Sequence, residues 1–184
     1  FIKITGIKKH KKKTAYYFLK PYPDDILFER IESVRPTAVA IGMDIDAYNI
    51  VTMRNQAHLE RKTSAQIQEF RTFSGRPLML KGIFSRDDVA LCREVKPDIA
   101  VVSNHGGRVD TPYMSTASFL EKYAAELRNY CGEVWVDGGI RTSRDVRTAK
   151  FLGADAVLAA RPFISALCSG GELKMSEVIK DMLN

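Results

Sequence analysis

Short apolar runs alternating with helix-spaced segments constrain this chain more than any other feature it has. The runs at residues 15–19, 38–43, 77–80, 99–102, 134–136 and 156–159 are three to six residues long, the length of strands rather than helices. Between them lie apolar residues at helical spacing: Ile26, Leu27, Ile31 and Val34 behind an Asp24 N-cap, then 63–73, 86–95 behind Ser85, 115–129, and 142–152 stopped by Gly153. Two closing helices are expected near 162–168 and 173–183. Strand–helix alternation with runs apolar throughout predicts βαβ units and a parallel sheet buried on both faces. Residues 1–7 alternate weakly, as a further strand would, and 48–62 read as a long irregular loop of the kind found near function.

The polar residues fall in a regular place. Asp44, Lys81, His105 and Asp137 each sit just past the C-terminal end of a different predicted strand. In a parallel barrel those ends share one rim, where active sites are found. In an open doubly wound sheet they would also share an edge, so the pattern makes four ionisable groups converge without choosing between the two folds.

The sharpest convergence is the stretch 100–110, AVVSNHGGRVD. A buried strand breaks off in Ser103, Asn104, His105, Gly106, Gly107 and Arg108, delivering an imidazole and a guanidinium to one mouth of the sheet. The adjacent glycines permit backbone shapes closed to other residues and a close approach by a flat ligand. A base that titrates near neutrality beside a carboxylate clamp suits chemistry on an anionic substrate. Further along, Asp137, Gly138, Gly139 and Arg141, then a helix and a strand, then Ala160 and Arg161, have the form of a phosphate site. Glycines at a strand end expose N–H groups, the next helix start adds positive potential, and two guanidiniums can fork onto phosphate oxygens.

These residues carry a resemblance. Leu80-Lys-Gly-Ile83, Val101-Val-Ser-Asn-His-Gly-Gly-Arg108, Val136-Asp-Gly-Gly-Ile-Arg141 and Phe151-Leu-Gly-Ala-Asp-Ala-Val-Leu-Ala-Ala-Arg-Pro-Phe163 resemble, in order, the FMN-dependent α-hydroxy-acid oxidases and dehydrogenases, the glycolate and lactate oxidase type. Ala40-Ile-Gly-Met-Asp-Ile-Asp46 is similar to a bacterial branch of that family, and Phe18-Leu-Lys-Pro21 fits more loosely. The resemblance implies a (β/α)8 TIM barrel, here incomplete at about six parallel strands, with FMN across its C-terminal mouth. It implies oxidation of a small 2-hydroxy acid to the 2-oxo acid. His105 is then the base, Asp44 the carboxylate pairing with its imidazolium, and Arg108 the clamp for the substrate carboxylate. Lys81 is implied as the cation beside the flavin's N1 and C2 carbonyl, and Asp137 as a ribityl ligand. Ser103, Gly138, Gly139, Arg141, Ala160 and Arg161 complete the cofactor set.

The chain departs from the family pattern at several points. Ala160 replaces a glycine, Gly42 stands where a threonine often touches flavin, and Tyr17, Phe18 and Leu19 replace a strand bearing Gln and Tyr. A second substrate arginine has no in-register match; Arg54 lies nearby at the wrong offset. The 184 residues are enough for one domain with a sizeable core, but a complete barrel takes about 250. The expectation is a single FMN-binding barrel domain over 1–184 lacking its first strands, working as a homo-oligomer or with a missing N-terminal half. The alternatives are a non-catalytic FMN- or phosphate-binding module, a truncated pseudoenzyme, and a related barrel of the type 2 isopentenyl-diphosphate isomerase kind, which the His-Gly-Gly-Arg spacing disfavours.

Composition excludes other classes. With 45% hydrophobic and 27% charged residues the chain is not disordered, and no apolar run approaches the roughly 18 residues of a membrane span. The net charge of +6 is partly the run Lys8-Lys9-His10-Lys11-Lys12-Lys13. Without interleaved aromatics or a second basic stripe it reads as a solvated loop, which disfavours nucleic-acid binding. Cys92, Cys131 and Cys168 lack metal spacing and read as reduced thiols of a cytoplasmic protein, so no metal is expected. The sequence begins at Phe1 with no secretory leader, as a piece of something longer would. His10 and His58 read as solvated, Trp135 as core, and of Tyr16 and Tyr17 at most one can face a ligand.

Overall fold

The computed structural model describes residues 14–51, 57–109 and 115–184. The weak strand at 1–7, the basic run at 8–13 and Arg54 lie outside the described residues. The elements are β1 (Ala15–Leu19), α1 (Asp24–Val34), β2 (Ala38–Asp44), α2 (Ser64–Ser74), β3 (Leu78–Ile83), α3 (Arg86–Val95), β4 (Ile99–Val102), α4 (Thr116–Leu127), β5 (Glu133–Val136), α5 (Ser143–Phe151), β6 (Ala156–Val157) and α6 (Arg161–Leu183). Neighbouring strands pair in parallel, and their order in the sheet is their order in the chain. A doubly wound sheet reverses its strand order at a switch point. Unbroken sequential order instead curves the sheet into six strands of a β/α barrel, so the fold is an incomplete TIM barrel.

The two faces differ, because alternate strand residues point opposite ways. On the convex face Ile41, Met43, Leu78, Leu80, Ala100, Val102, Val134 and Val136 pack against helix residues such as Leu27, Ile67, Val89, Phe119 and Leu127 in the main core. On the concave face Ala40, Met79, Ile99, Val101, Trp135 and Ala156, flanked by Tyr16, Phe18 and Leu158, form a smaller cluster built from strands alone. One step of two residues beyond this floor, at the C-terminal strand ends, stand Lys20, Asp44, Lys81, Ser103, Asp137 and Ala160. The polar rim is therefore the continuation of the concave face.

Helix starts follow their sequence signals. Thr63, Ser85, Ser115 and Thr142 cap α2, α3, α4 and α5 through their hydroxyls, with reciprocal capping boxes at Thr63–Gln66 and Thr142–Asp145. Three expectations need correction. Asp24 is the first residue of α1 rather than its cap; Pro23 takes the cap position, and the Asp24 carboxylate instead binds Lys62 Nζ at 2.7 Å. β3 runs past Lys81 to Ile83, with its register to β4 shifting between Lys81 and Ile83. β6 is only two residues long, Ala156–Val157, and among the described residues it pairs with β5 alone. The two closing helices are separated by non-helical Gly170 and Gly171 within α6. No helix among the described residues is long and apolar enough to cross a membrane.

Candidate active site

The rim is built around the end of β3. The register shift there leaves Gly82 in a bulge with φ of +99°, so Lys81 points to the concave rim while Ile83 stays in the main core. Lacking a side chain, Gly82 makes room for a carboxylate: a Cβ there would lie 2.2 Å from Asp46 Oδ1. The chain after β2 is held alongside by the Ile45 N–H donating to Lys81 O at 2.8 Å.

His105 stands at the centre. It is buried, with a left-handed φ of +49°, and its backbone N–H donates to Ser103 Oγ at 3.1 Å. Nδ1 lies 2.6 Å from Asp46 Oδ2. Nε2 lies 3.0 Å from Lys81 Nζ and 3.5 Å from Asp44 Oδ1. A protonated lysine only donates, so the network assigns the neutral ring its proton on Nδ1, donated to Asp46, and leaves Nε2 as the lone-pair nitrogen. Burial works against the charged imidazole, but the hydrogen bonds it donates to Asp44 and Asp46 outweigh that, and the ring is held above its ordinary value.

Asp44 belongs chiefly to the lysines. Its Oδ2 accepts from Lys20 Nζ at 2.5 Å, and Oδ1 lies 3.0 Å from Lys81 Nζ. Burial would raise its carboxyl, yet His105, Lys81 and Lys20 together hold it well below the usual carboxylate range. Lys81 also faces Asp137 Oδ2 at 3.4 Å; burial opposes its charge, while Asp137, Asp44 and Asp46 restore it and raise its value above the ordinary one. The donor atoms of Asp44, Asp46 and His105 lie within 4.8 Å of one another, and Lys20 and Lys81 both pair with Asp44 of this set. Lys20 and Asp46 were not singled out from sequence. The signal was there: Lys20 continues the alternation of Tyr16 and Phe18, and Asp46 follows Asp44 by the same step.

Arg108 is exposed, and its Nε donates to His105 O at 2.8 Å, tying its guanidinium to the same turn. Arg161, the first residue of α6, packs on that turn too: a Cβ on Gly106 would lie 2.6 Å from its Nη2. Gly138 approaches the turn from β5, where a Cβ would lie 2.6 Å from Asn104 Oδ1. Arg141 stays within its own loop, Nη1 donating to Ile140 O at 3.0 Å. The N–H groups of Arg141 and Thr142 are already taken by Asp145 Oδ2, each at 2.9 Å. The start of α6 is different: Ala160 provides no side-chain cap. His105, Arg108 and Arg161 are thus brought together, while Arg141 stands apart on the exposed side of its loop.

Other expectations resolve simply. Tyr17 turns outward and hydrogen-bonds Thr37 Oγ1 at 2.8 Å, while Tyr16 lies edge-on to Trp135 with ring centroids 5.2 Å apart. His58 is exposed beside Glu60. The cysteines are free; burial pushes the Cys131 thiol up to about 11, and Cys92 higher still, so both are inert at neutral pH. A cavity of about 860 Å³ is lined by Asp46 with Ile45, Gly82, Phe84, Leu91, Phe119 and Tyr123; none of the concave-floor residues lines it.

The family model for FMN-dependent dehydrogenases matches residues 9–184. A peroxisomal (S)-2-hydroxyacid oxidase of Arabidopsis thaliana is 39% identical over 117 residues, 64% of this chain and 32% of that protein. An L-lactate oxidase of Nostoc is 39% identical over 113 residues, 61% of this chain and 31% of the relative. A mandelate oxidase crystal structure superposes with a TM-score of 0.78 at 27% identity, covering 92% of this chain and 56% of the other. The chain's matches span about a third of the length of these curated relatives and just over half of the solved structure. A sequential parallel arc with a basic and acidic rim, matched over nearly its whole length by one family, leaves a single conclusion: the chain belongs to the FMN-dependent dehydrogenases.

Proposed function

We propose that this chain catalyses the FMN-dependent oxidation of a small 2-hydroxy acid to the 2-oxo acid, with His105 as base and Arg108 as the clamp for the substrate carboxylate. The observation that carries this reading is the turn from Ser103 to Arg108. It carries both a lone-pair nitrogen, Nε2, and a guanidinium tethered to the same turn.

The residues present fit the cofactor. The uncapped start of α6 leaves N–H groups at Ala160 and Arg161 available to a phosphate, and the Arg161 guanidinium lies beside them. Gly139 is exposed with φ of +82° and bears no side chain to obstruct an anion. Arg141, whose Nη1 donates to Ile140 O, would close on the phosphate from the loop after β5. Gly138, Asp137, Ser103 and Lys81 line the rim between that phosphate and His105. Bound FMN supplies the two-electron acceptor. His105 Nε2 takes the proton that leaves the substrate, Asp44 and Asp46 stabilise the imidazolium so formed, and Arg108 orients the substrate by its carboxylate. Lys81 would help hold the bound cofactor, its ammonium offering positive charge at the rim.

A second reading, a binding module without turnover, is favoured by the open arc: six strands leave β1 and β6 unpaired on one side among the described residues. One experiment separates the two. Purified chain is loaded with FMN and mixed anaerobically with lactate, glycolate or mandelate, and the flavin absorbance is followed. Bleaching is expected, slowed about 10²- to 10⁴-fold in His105→Gln. Arg108→Met should lose bleaching while keeping FMN, and Arg161→Ala should lose FMN. FMN bound with no bleaching under any acid supports the module, and equal flavin loss in all three variants sinks the site assignment.

A further inference from the structure

His105 has two acidic neighbours, and they are not equivalent. Asp44 is engaged by Lys20 and Lys81 and reaches the imidazole only at 3.5 Å from Nε2. Asp46 reaches Nδ1 at 2.6 Å, with no lysine within ion-pair distance of its carboxylate among the described residues. Its other oxygen, Oδ1, is buried without a hydrogen-bond partner among them. The seat it occupies is built by two features of β3, the bulge and the missing side chain at Gly82, whose Cβ would collide with this carboxylate at 2.2 Å.

We infer that Asp46 is the positioning residue for His105: by accepting the hydrogen bond from Nδ1–H it fixes the ring's tautomer and orientation, so that Nε2 is the nitrogen presented to the substrate. Asp44 has a different task, neutralising Lys20 and Lys81 and holding the two ammonium groups at the rim. This deepens the proposed function and rests on His105 being the base. A short bond to a carboxylate is a strong one, and the partner of one ring nitrogen decides the state of the other. The charged groups facing the imidazole are Asp46 and Asp44 from β2 and its following loop, and Lys81 from β3. Lys20 from β1 and Asp137 from β5 act through Asp44 and Lys81. Arg108 and Arg161 flank the turn itself. Burial and Lys81 oppose a positive ring, and the carboxylates favour it.

The test is the NMR titration of the His105 imidazole in the 184-residue chain, with no flavin or substrate present; His10→Gln and His58→Gln identify the other two signals. Asp46→Asn keeps the shape seated on Gly82 and is expected to lower the midpoint by about one pH unit, a tenfold loss of proton affinity. Its neutral ring should also show the proton spread onto Nε2, whereas wild type holds it on Nδ1. Asp46→Glu should restore part of both, and Asp44→Asn should leave the tautomer on Nδ1. Asp46→Ala serves as the second variant, with the same readout, if the amide form fails to fold. An unchanged midpoint and tautomer in both Asp46→Asn and Asp46→Ala overturns the inference, as does a tautomer change in Asp44→Asn alone. Anaerobic bleaching is read separately. If the titration responds to Asp46 but no hydroxy acid bleaches any FMN-loaded variant, the positioning role stands and the base reading fails. If bleaching depends on His105 while the titration ignores Asp46, only the positioning role fails.

Discussion

Burial alone would leave His105 a poorer base than free histidine; its carboxylate neighbours reverse that, and the reversal has a pH signature. With a raised folded value, the ring's stabilisation is fully present below the ordinary 6.5 and is lost as pH rises through the folded value. Asp44 behaves oppositely: its folded value is depressed, so its stabilisation is present above the ordinary 3.8 and is lost as pH falls through the folded value. Urea midpoints of the chain are therefore expected to be highest between about pH 4 and 6.5 and to decline on both sides; a midpoint climbing steadily from pH 6 to 9 contradicts the raised imidazole. At this scale the sequence was readable wherever the chemistry is contiguous. His105 and Arg108 lie in one turn, so their proximity needed no tertiary information. Asp46 and Lys20 continue the alternation of their strands, but the seat of Asp46 against Gly82, 36 positions away, and the face that β1 turns inward belong to the assembled sheet.

Among the elements, β3 does most to set the site. Its bulge lets one strand send Lys81 to the rim and Ile83 to the core without a turn between them. Gly82→Ala places a side chain at φ of +99° and against the Asp46 carboxylate. A loss of about 1–3 kcal/mol in unfolding free energy is expected, measured by urea denaturation. Should Gly82→Ala be as stable as wild type, the close approach of Asp46 is wrong. The sequence announced this element by its apolar run but misjudged its end, because a lysine and a glycine ordinarily close a strand. For β6 the error ran the other way: the run at 156–159 suggested four residues, yet the strand is Ala156–Val157 and among the described residues pairs with β5 alone. Helix starts were legible where a hydroxyl begins them, as at Thr63, Ser85 and Ser115, since capping is a local bond.

For the whole molecule, the choice between barrel and doubly wound sheet was invisible in any one segment and was decided by strand order, a property of the assembled sheet. The proposed cofactor residues run from Lys81 on β3 to Arg161 beyond β6, so FMN should tie that half of the arc together. At a hundredfold excess over its dissociation constant, a ligand of the folded state adds about 2.7 kcal/mol. FMN is expected to raise the melting temperature by several degrees, riboflavin, which lacks the phosphate, by much less, and Arg161→Ala should erase the difference. Equal shifts with both flavins would remove the phosphate from the site. The alternation of each strand has a further consequence. Lys20, Asp44, Lys81, Ser103 and Asp137 sit one residue beyond Leu19, Met43, Leu80, Val102 and Val136, which pack against the helices or their main core. Sliding any of these strands by a single position would thrust a polar tip among those helices and hand the mouth a greasy side chain. Hydrophobic packing on the outer wall thereby proofreads the chemistry of the inner one, and a strand cannot settle in its place without aiming its tip correctly.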